Sequence, residues 1–239
     1  MNGRTSPREL NSKRLDRATI VAAGLEIASR PGIAAISVRA LGTELGVDPT
    51  AVYRHFQSKD DLMRALLDEL QASSLSRLPE GAPWRERLRS LAHATLATFV
   101  AHPAIAVEAT VLATNGPAET ATIEFILAAF AEAGLEGGDL ASHYALFASY
   151  VLSEAAGISR GRASSPDSTE DSWLEGPLLV DPLKHAHIAS VAAELRDLRD
   201  EDIFRMGIEL ILDSATRSVA ARSAAARIGT AGGAERDEE

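Results

Sequence analysis

Hydrophobic residues recur at helical spacing through most of the chain, in segments that Gly, Pro and polar residues separate. Positions i, i+3, i+4 and i+7 share one face of an α-helix, so each segment predicts an amphipathic helix. Aromatic residues make up only 5% of the chain and β-branched runs are few, which also favours helices over strands. The pattern therefore predicts an all-α protein.

Residues 37–59 predict two short helices joined by a tight turn. Ser37 is suited to accept a hydrogen bond from a free first-turn amide. The apolar residues that follow it on one helical face are Val38, Leu41 and Leu45. Gly46 can adopt the left-handed conformation that ends a helix, and Asp48 can cap the next one. Pro49 is tolerated at the first helical position because no N–H donor is needed there.

The second helix, predicted over residues 49–56, is about 12 Å long at ~1.5 Å per residue and cannot be stable alone. Val52 and Phe56 supply a side that can be buried against neighbouring helices. The residues left to face outward or lie at the rim are Thr50, Ala51, Tyr53, Arg54 and His55. A short helix with a free polar side suits the DNA major groove, which is ~12 Å wide, so the pair is predicted to be a helix-turn-helix.

The predicted DNA contacts are Arg39, Thr43, Thr50, Ala51, Tyr53, Arg54, His55 and Lys59. At the start of the helix, Thr50 and Ala51 are placed to meet base edges, and Arg54 can pair with guanine. The residues expected on phosphates are Tyr53, His55 and Lys59, although packing within the head remains an alternative for Tyr53 and His55. On the preceding helix, Arg39 and Thr43 are placed to reach the DNA backbone or a flanking base.

The run LGVDPTAVYRHFQSKDDLMRALLDEL, residues 45–70, resembles the DNA-binding segment of tetracycline-repressor (TetR) family regulators. The shared pattern is a Tyr-x-His-Phe step in the recognition helix, followed by a Lys that opens a fourth helix. The resemblance is specific over residues 16–70. It implies a DNA-binding transcriptional regulator with a three-helix head and a larger helical ligand-binding and dimerisation domain.

The remaining segments predict the domain organisation. Residues 1–15 are expected to form a flexible basic arm that either contacts DNA or only aids solubility. The predicted DNA-binding domain, hereafter the head, is residues 16–60, and the helical ligand-binding and dimerisation domain, the body, is residues 61–222. Within the body we predict a connecting helix over 61–77, started by a Ser58–Asp61 capping box, and a mobile loop over 159–181. Five further helices are predicted near 84–101, 103–113, 118–133, 139–158 and 184–196, a last one near 200–222, and a disordered tail over 223–239.

The charge distribution agrees with a DNA-binding head on an acidic body. The net charge is −10, but residues 1–59 carry nine Lys and Arg against five Asp and Glu, a net charge of +4, so the rest carries −14. Only the surface near phosphates must be positive, although a solvated basic tail would give the same counts. The chain has no cysteine, no signal peptide and no long apolar run, so a cytoplasmic protein without a membrane partner is expected.

Two body helices, those predicted near 139–158 and 200–222, are apolar over a wide arc. This pattern predicts a homodimer built from these two helices and the same helices of the partner. The predicted dimerisation residues are Tyr144, Val151, Leu152, Ile203, Phe204, Ile208, Ile211 and Leu212. The TetR resemblance implies the same pair of helices. The alternative is that both helices are simply central in a monomer.

Aromatic and polar residues in the body could line a cavity for a small-molecule effector, although each could equally be core. The predicted ligand-binding residues are Phe99, His102, Glu108, Phe125, His143 and Phe147. Residues 93–157 resemble the tetracycline repressor's ligand domain in helix order and in the Pro-Ala turn after Gly116. Where that domain has a drug-binding His and a metal-binding His, this chain has Ser74-Leu75 and Val111-Leu112-Ala113, so neither a metal nor another cofactor is predicted.

The sequence therefore favours a regulator that leaves a palindromic operator when a small molecule binds. An enzyme is the weaker alternative, because no recognisable catalytic triad, Glu-x-x-His pair or phosphate-binding Gly loop occurs. A helical dimeric module that uses its head to bind protein remains a second alternative, and salt-dependent retention on duplex DNA would separate the two.

Overall fold

The computed structural model describes residues 15–30, 32, 35–164, 173 and 179–234, and their regular structure is helical. The predicted basic arm lies outside these residues except at Leu15. In chain order the α-helices are α1 (Arg17–Ala28), α2 (Val38–Leu45), α3 (Pro49–Val52), α4 (Lys59–Leu75), α5 (Trp84–Ala101), α6 (Pro103–Ala106), α7 (Pro117–Glu132), α8 (Gly137–Ser164), α9 (Ala186–Ser190), α10 (Ala192–Asp197) and α11 (Asp200–Ala234). A 3₁₀ turn, Val107–Thr110, follows α6.

The head consists of α1, α2, α3 and the start of α4 packed around a small apolar core. The fully buried side chains there include Ile20, Leu41, Val52, Phe56 and Leu62. Because α3 is a single turn, its position depends on burying Val52 and Phe56 between the longer helices.

The body is a helical bundle in which α5 packs against α8, α4 against α5 and α7, and α11 against α8. Aromatic rings fill its centre: the ring of Phe130 meets that of Phe147 edge-on at 6.0 Å, and the ring of Tyr150 stacks on that of Phe204 at 6.1 Å. Gly207 lies under Tyr150, where a Cβ would come within 2.1 Å of the phenol. This glycine therefore permits the close approach of α8 and α11.

Several predicted boundaries are corrected by the structure. The recognition helix is α-helical only over Pro49–Val52, and hydrogen bonds of residues 54–56 to the carbonyls of residues 51 and 52 continue it as turns. Residues 159–164, predicted as the start of a mobile loop over 159–181, belong to α8, because Ile158 and Ser159 are buried and extend its packed face. The rest of that predicted loop lies outside the described residues, except at residues 173 and 179–181. The predicted tail from residue 223 is helical to Ala234 as the end of α11, since good helix formers such as Ala and Arg continue the helix.

The predicted helix 103–113 is shorter than expected and changes to a 3₁₀ turn at residue 107, and the helix predicted at 184–196 is two short helices.

Among the described residues, no single helix is both long enough and apolar enough to cross a membrane. The segments Trp84–Ala101 and Pro103–Thr110 have the required length and apolar composition only when they are taken together, and the chain bends by 111° between them.

Candidate nucleic-acid interface and ligand cavity

Side-chain caps define the helix-turn-helix. Ser37 Oγ accepts a hydrogen bond from the amide of Ala40 at 3.1 Å and so begins α2. Gly46 ends it with φ +65°, the left-handed conformation that favours glycine. Asp48 Oδ1 then accepts hydrogen bonds from the amide of Thr50 at 2.8 Å and from its hydroxyl at 2.6 Å. These two bonds, the hydroxyl first, hold the pKa of Asp48 below its ordinary value, so the cap is charged at neutral pH.

The polar side of α3 and its following turn is exposed. Thr50 and Arg54 are exposed, Tyr53 is 53% exposed, and Ala51 and His55 are half-buried. Of the three residues predicted to read bases, Thr50 and Arg54 are therefore uncovered and Ala51 is partly covered. This side of the head is therefore free to enter a groove of duplex DNA.

The cations of the head divide into two groups. Arg17 and Arg30 pair with acids: Arg17 with Asp61 at 3.1 Å, and Arg30 with Glu44 at 2.7 Å. In contrast, Arg39, Arg54 and Lys59 are exposed and form no ion pair with any described residue. Unpaired exposed cations are what phosphate contacts require, and all three belong to the predicted DNA set. Thr43, also exposed, donates its hydroxyl to the carbonyl of Arg39 at 3.1 Å.

A clamp that the sequence analysis missed fixes the far end of α3. The guanidinium of Arg17 lies 4.1 Å from the centre of the Phe56 ring, donates to the carbonyl of His55 at 2.6 Å and pairs with Asp61. Asp61 also accepts from the amide of Gln57 at 3.0 Å. The predicted capping box is thus half present: the Asp61 amide donates to Ser58 Oγ, but the Asp61 carboxylate turns to Gln57 and Arg17 instead.

The body contains a cavity of about 70 Å³ between α4, α5, α7 and α8. Of the predicted ligand-binding residues, Phe99 and Phe147 line it. The full lining is Gln71, Ser74, Leu91, Thr95, Phe99, Glu119, Thr122, Ile123, Ile126, Tyr144, Phe147, Ala148, Val151 and Leu152. The polar members could have been found in the sequence as hydrophilic residues on otherwise apolar helical faces, such as Gln71 and Ser74 three residues apart on α4.

Four predicted ligand residues do not line this cavity. His143 is buried, with Nδ1 2.8 Å from the carbonyl of Asp139, and it packs against Phe130. His102 places Nδ1 2.9 Å from the carbonyl of Thr98 at the end of α5. Phe125 lies under the guanidinium of Arg87, and Glu108 belongs to the 3₁₀ turn. The two histidines are held by backbone acceptors of their own helices, which is a structural role.

The predicted dimerisation residues are mostly inside the chain. The buried ones are Val151, Phe204, Ile208, Ile211 and Leu212, and the half-buried ones are Tyr144, Leu152 and Ile203. Tyr144, Val151 and Leu152 line the cavity instead. The exposed apolar residues of these two helices are others, Leu146, Met206 and Leu210. The buried members of this set pack within one chain, whereas the use of α8 and α11 as the dimer interface stays a prediction.

A latch joins the cavity wall to the connecting helix α4. Asp68 on α4 accepts hydrogen bonds from the Thr114 hydroxyl at 2.9 Å and from the amides of Ala118 and Glu119 at 3.3 and 3.0 Å. Arg64 Nε donates to the carbonyl of Ala113 at 3.1 Å. Helix α4 thus begins in the head, at Lys59, and through Asp68 it holds the first turn of α7, which lies beside the cavity.

Comparison with known proteins identifies the family. Residues 20–66 match the family of bacterial regulatory proteins of the TetR type, and residues 78–215 match the tetracyclin repressor-like C-terminal domain. The second match alone spans more than half of the chain. The chain belongs to the TetR family. It is therefore a DNA-binding transcriptional regulator that responds to a ligand, and neither the enzyme nor the protein-interaction alternative has support.

Individual relatives agree with this assignment. The HTH-type transcriptional repressor Rv1353c of Mycobacterium tuberculosis is 29% identical over 216 residues, covering 87% of this chain and 82% of that protein. The tetracycline repressor protein class G of Vibrio anguillarum is 39% identical over 82 residues, 32% of this chain and 37% of that protein. The TetR-family protein ActR of Streptomyces coelicolor, in complex with (S)-DNPA, superposes with a TM-score of 0.70 at 23% identity, covering 86% of this chain and 98% of that one.

In this TetR-family regulator, no group of three or more His, Cys, Asp or Glu side chains among the described residues is arranged to hold a metal ion. The cavity is lined mainly by apolar and aromatic side chains with a few polar groups, the usual composition of a site for an organic molecule.

Proposed function

We propose that this regulator is a homodimeric repressor that binds a pseudo-palindromic operator through two heads and leaves it when a small molecule enters the body. The observation that carries the proposal is the course of α4. It begins at Lys59 beside the DNA-reading surface and lines the cavity with Gln71 and Ser74, about 18 Å further along at ~1.5 Å per residue. A ligand that displaces α4 would therefore move the head.

The DNA-binding residues proposed are the eight predicted from sequence. Thr50, Ala51 and Arg54 would read bases, and Arg39, Lys59 and the remaining members would contact the backbone. The support is that Thr50 and Arg54 are exposed, and that Arg39, Arg54 and Lys59 form no ion pair with a described residue. Proposed ligand contacts are the cavity residues, with Phe99 and Phe147 retained from the sequence prediction.

A homodimer is proposed because one short recognition helix contacts too few bases for useful specificity. In each chain, α8 and α11 carry exposed apolar side chains, Leu146 at 52%, Met206 at 54% and Leu210 at 58%. We propose that these, rather than the buried residues of the same helices, meet the partner. The relative named as a repressor, Rv1353c, supports repression, and ActR in complex with (S)-DNPA supports effector binding in this fold.

The test begins with a nuclease footprint of the purified protein upstream of its own gene. The expected footprint covers two half-sites related by a pseudo-two-fold axis, about 10 base pairs apart or a multiple of it. Sedimentation should give a dimer that Leu210→Glu dissociates, with Arg217→Gln as an exposed control on the same helix. A monomer that protects a single half-site would contradict the dimer proposal, and an effector that binds without changing operator affinity would contradict release.

A further inference from the structure

The charge of the cavity lining restricts the chemistry of the effector. Of the side chains that line the cavity, Glu119 is the acid, and Lys, Arg and His are absent from the described lining. A carboxylate or phosphate ligand would lose its hydration beside Glu119 without gaining a counter-charge. Neutral and cationic ligands face no such penalty.

Glu119 has one carboxylate oxygen available. Its Oε2 accepts a hydrogen bond from the amide of Asn115 at 2.6 Å, which fixes the side chain beside the first turn of α7. Its Oε1 accepts no hydrogen bond from a described residue. Burial, followed by the charge of Glu119, raises the pKa of the Tyr144 phenol, so the negative potential of Glu119 reaches the aromatic part of the cavity. Neither the Tyr144 hydroxyl nor the Gln71 amide has a hydrogen-bond partner among the described residues.

Aromatic rings surround the remaining space. Phe99, Tyr144 and Phe147 line the cavity, and Phe99 and Phe147 are otherwise buried in the body. Aromatic faces attract organic cations as well as flat hydrocarbon surfaces.

We infer that the cavity binds a small aromatic amine in its cationic form, with Glu119 Oε1 as counter-ion and the rings of Phe99, Tyr144 and Phe147 around the hydrocarbon. This inference rests on the proposed function, because it names the class of effector for the same site. The Tyr144 hydroxyl and the Gln71 amide are then the neutral groups that orient the remaining part of the ligand.

The test uses three naphthalene probes of nearly equal shape that differ in charge at neutral pH: 1-naphthylmethylamine, 1-naphthylmethanol and 1-naphthoate. Calorimetric titrations of the full-length protein should give binding of the amine at least tenfold tighter than that of the alcohol, and weakest binding of the carboxylate. Glu119→Gln keeps the acceptor for Asn115 and should remove the preference between amine and alcohol. The control Glu124→Gln, exposed on the same helix, should retain the preference.

Thermal melting of each variant establishes that it is folded before titration. Equal or tighter binding of naphthoate, an amine preference that survives in Glu119→Gln, or no binding of the amine would each overturn the inference. Operator affinity is measured in the same samples. An amine that binds through Glu119 but leaves operator affinity unchanged would overturn the release mechanism and leave the ligand class intact. Release from the operator by naphthoate alone would overturn the ligand class and leave the release mechanism intact.

Discussion

The head and the body use different kinds of contact to form their sites. In the head, Ser37, Asp48 and Ser58 each cap a helix two or three residues away, and the DNA-reading side chains remain exposed. In the body, the cavity needs four helices, and its wall is fixed by Asp68 bonding to Glu119, 51 residues distant. Contacts between residues close in sequence thus define the surface for DNA, which is the constant partner. Packing of residues distant in sequence defines the cavity for the ligand, which is the variable partner. The two sites should respond separately to mutation.

The largest effect is expected from Phe56→Ala in the head. Phe56 is 1% exposed and supports both α3 and the guanidinium of Arg17, so its truncation should destabilise the head by about 3–5 kcal/mol. Operator binding, measured by fluorescence anisotropy, should be lost while most of the body's helical circular dichroism remains. Phe125→Ala, a half-buried aromatic of the body, is the control that should retain operator affinity. Loss of helix throughout the molecule in Phe56→Ala would show that head and body unfold as one unit.

Within the head, Arg54→Ala and Lys59→Ala separate base reading from phosphate contact. Arg54→Ala should weaken operator binding by ~1–3 kcal/mol and relax the preference at one position in each half-site. Lys59→Ala should weaken binding to all sequences alike and reduce the slope of log K against log salt by about 1 per site. Anisotropy titrations on operator and scrambled duplexes at several salt concentrations measure both. Equal losses on both duplexes for Arg54→Ala would reject its base-reading role.

Local signals explain why the head was predictable from sequence. The caps at Ser37 and Asp48, the Gly46 stop and the buried pair Val52 and Phe56 are all found as predicted. Each depends on residues within a few positions, so spacing alone identifies it. The Arg17 clamp was missed because it joins α1 to α4 over 44 residues, a distance at which an arginine has many possible partners.

The ligand cavity was predictable only in outline. Phe99 and Phe147 were identified as large apolar residues, but the same property placed Phe125 in the set, and its polar ring placed His143 there, although both pack elsewhere. An apolar residue on a helix can face the core, a cavity or a partner, and periodicity does not separate these. For the same reason the apolar residues of α8 and α11 were predicted as a dimer surface, which stays a prediction, although most of them are buried in the chain.

A smaller effect is expected where the two regions meet, at Asp68. Asp68→Asn keeps an acceptor but loses the charge that strengthens three hydrogen bonds at the start of α7, so the body should lose about 1–2 kcal/mol of stability. The ligand-induced change in operator affinity should also decrease. Urea unfolding and operator titrations with and without 1-naphthylmethylamine measure the two effects. Glu69→Gln, exposed on the same helix, should change neither, and a full ligand response in Asp68→Asn would exclude the latch as the coupling element.

The smallest effect concerns acid sensitivity. Asp61 in the head and Glu209 in the body have pKa values below their ordinary ranges, Asp61 because Arg17 and then the Gln57 amide donate to it, and Glu209 first because of Arg89. A lowered carboxyl pKa contributes stability that is present above the unfolded value, ~4, and is lost as the pH falls through the folded value. Both pairs are partly exposed, so each should contribute about 1 kcal/mol or less.

Protonation removes the charge that Asp61→Asn and Glu209→Gln also remove. At pH 7, each substitution should therefore lower the melting temperature, and the difference from the unsubstituted protein should shrink as the pH falls below ~4. Asp61→Asn should in addition weaken operator binding slightly at pH 7, because the clamp on the end of α3 depends on it. Glu209→Gln should leave operator binding unchanged, since Glu209 pairs with α5 of the body. A constant difference in melting temperature from pH 7 to pH 3 would contradict the role of both charges, and equal losses of operator affinity would mean that the two regions are not independent.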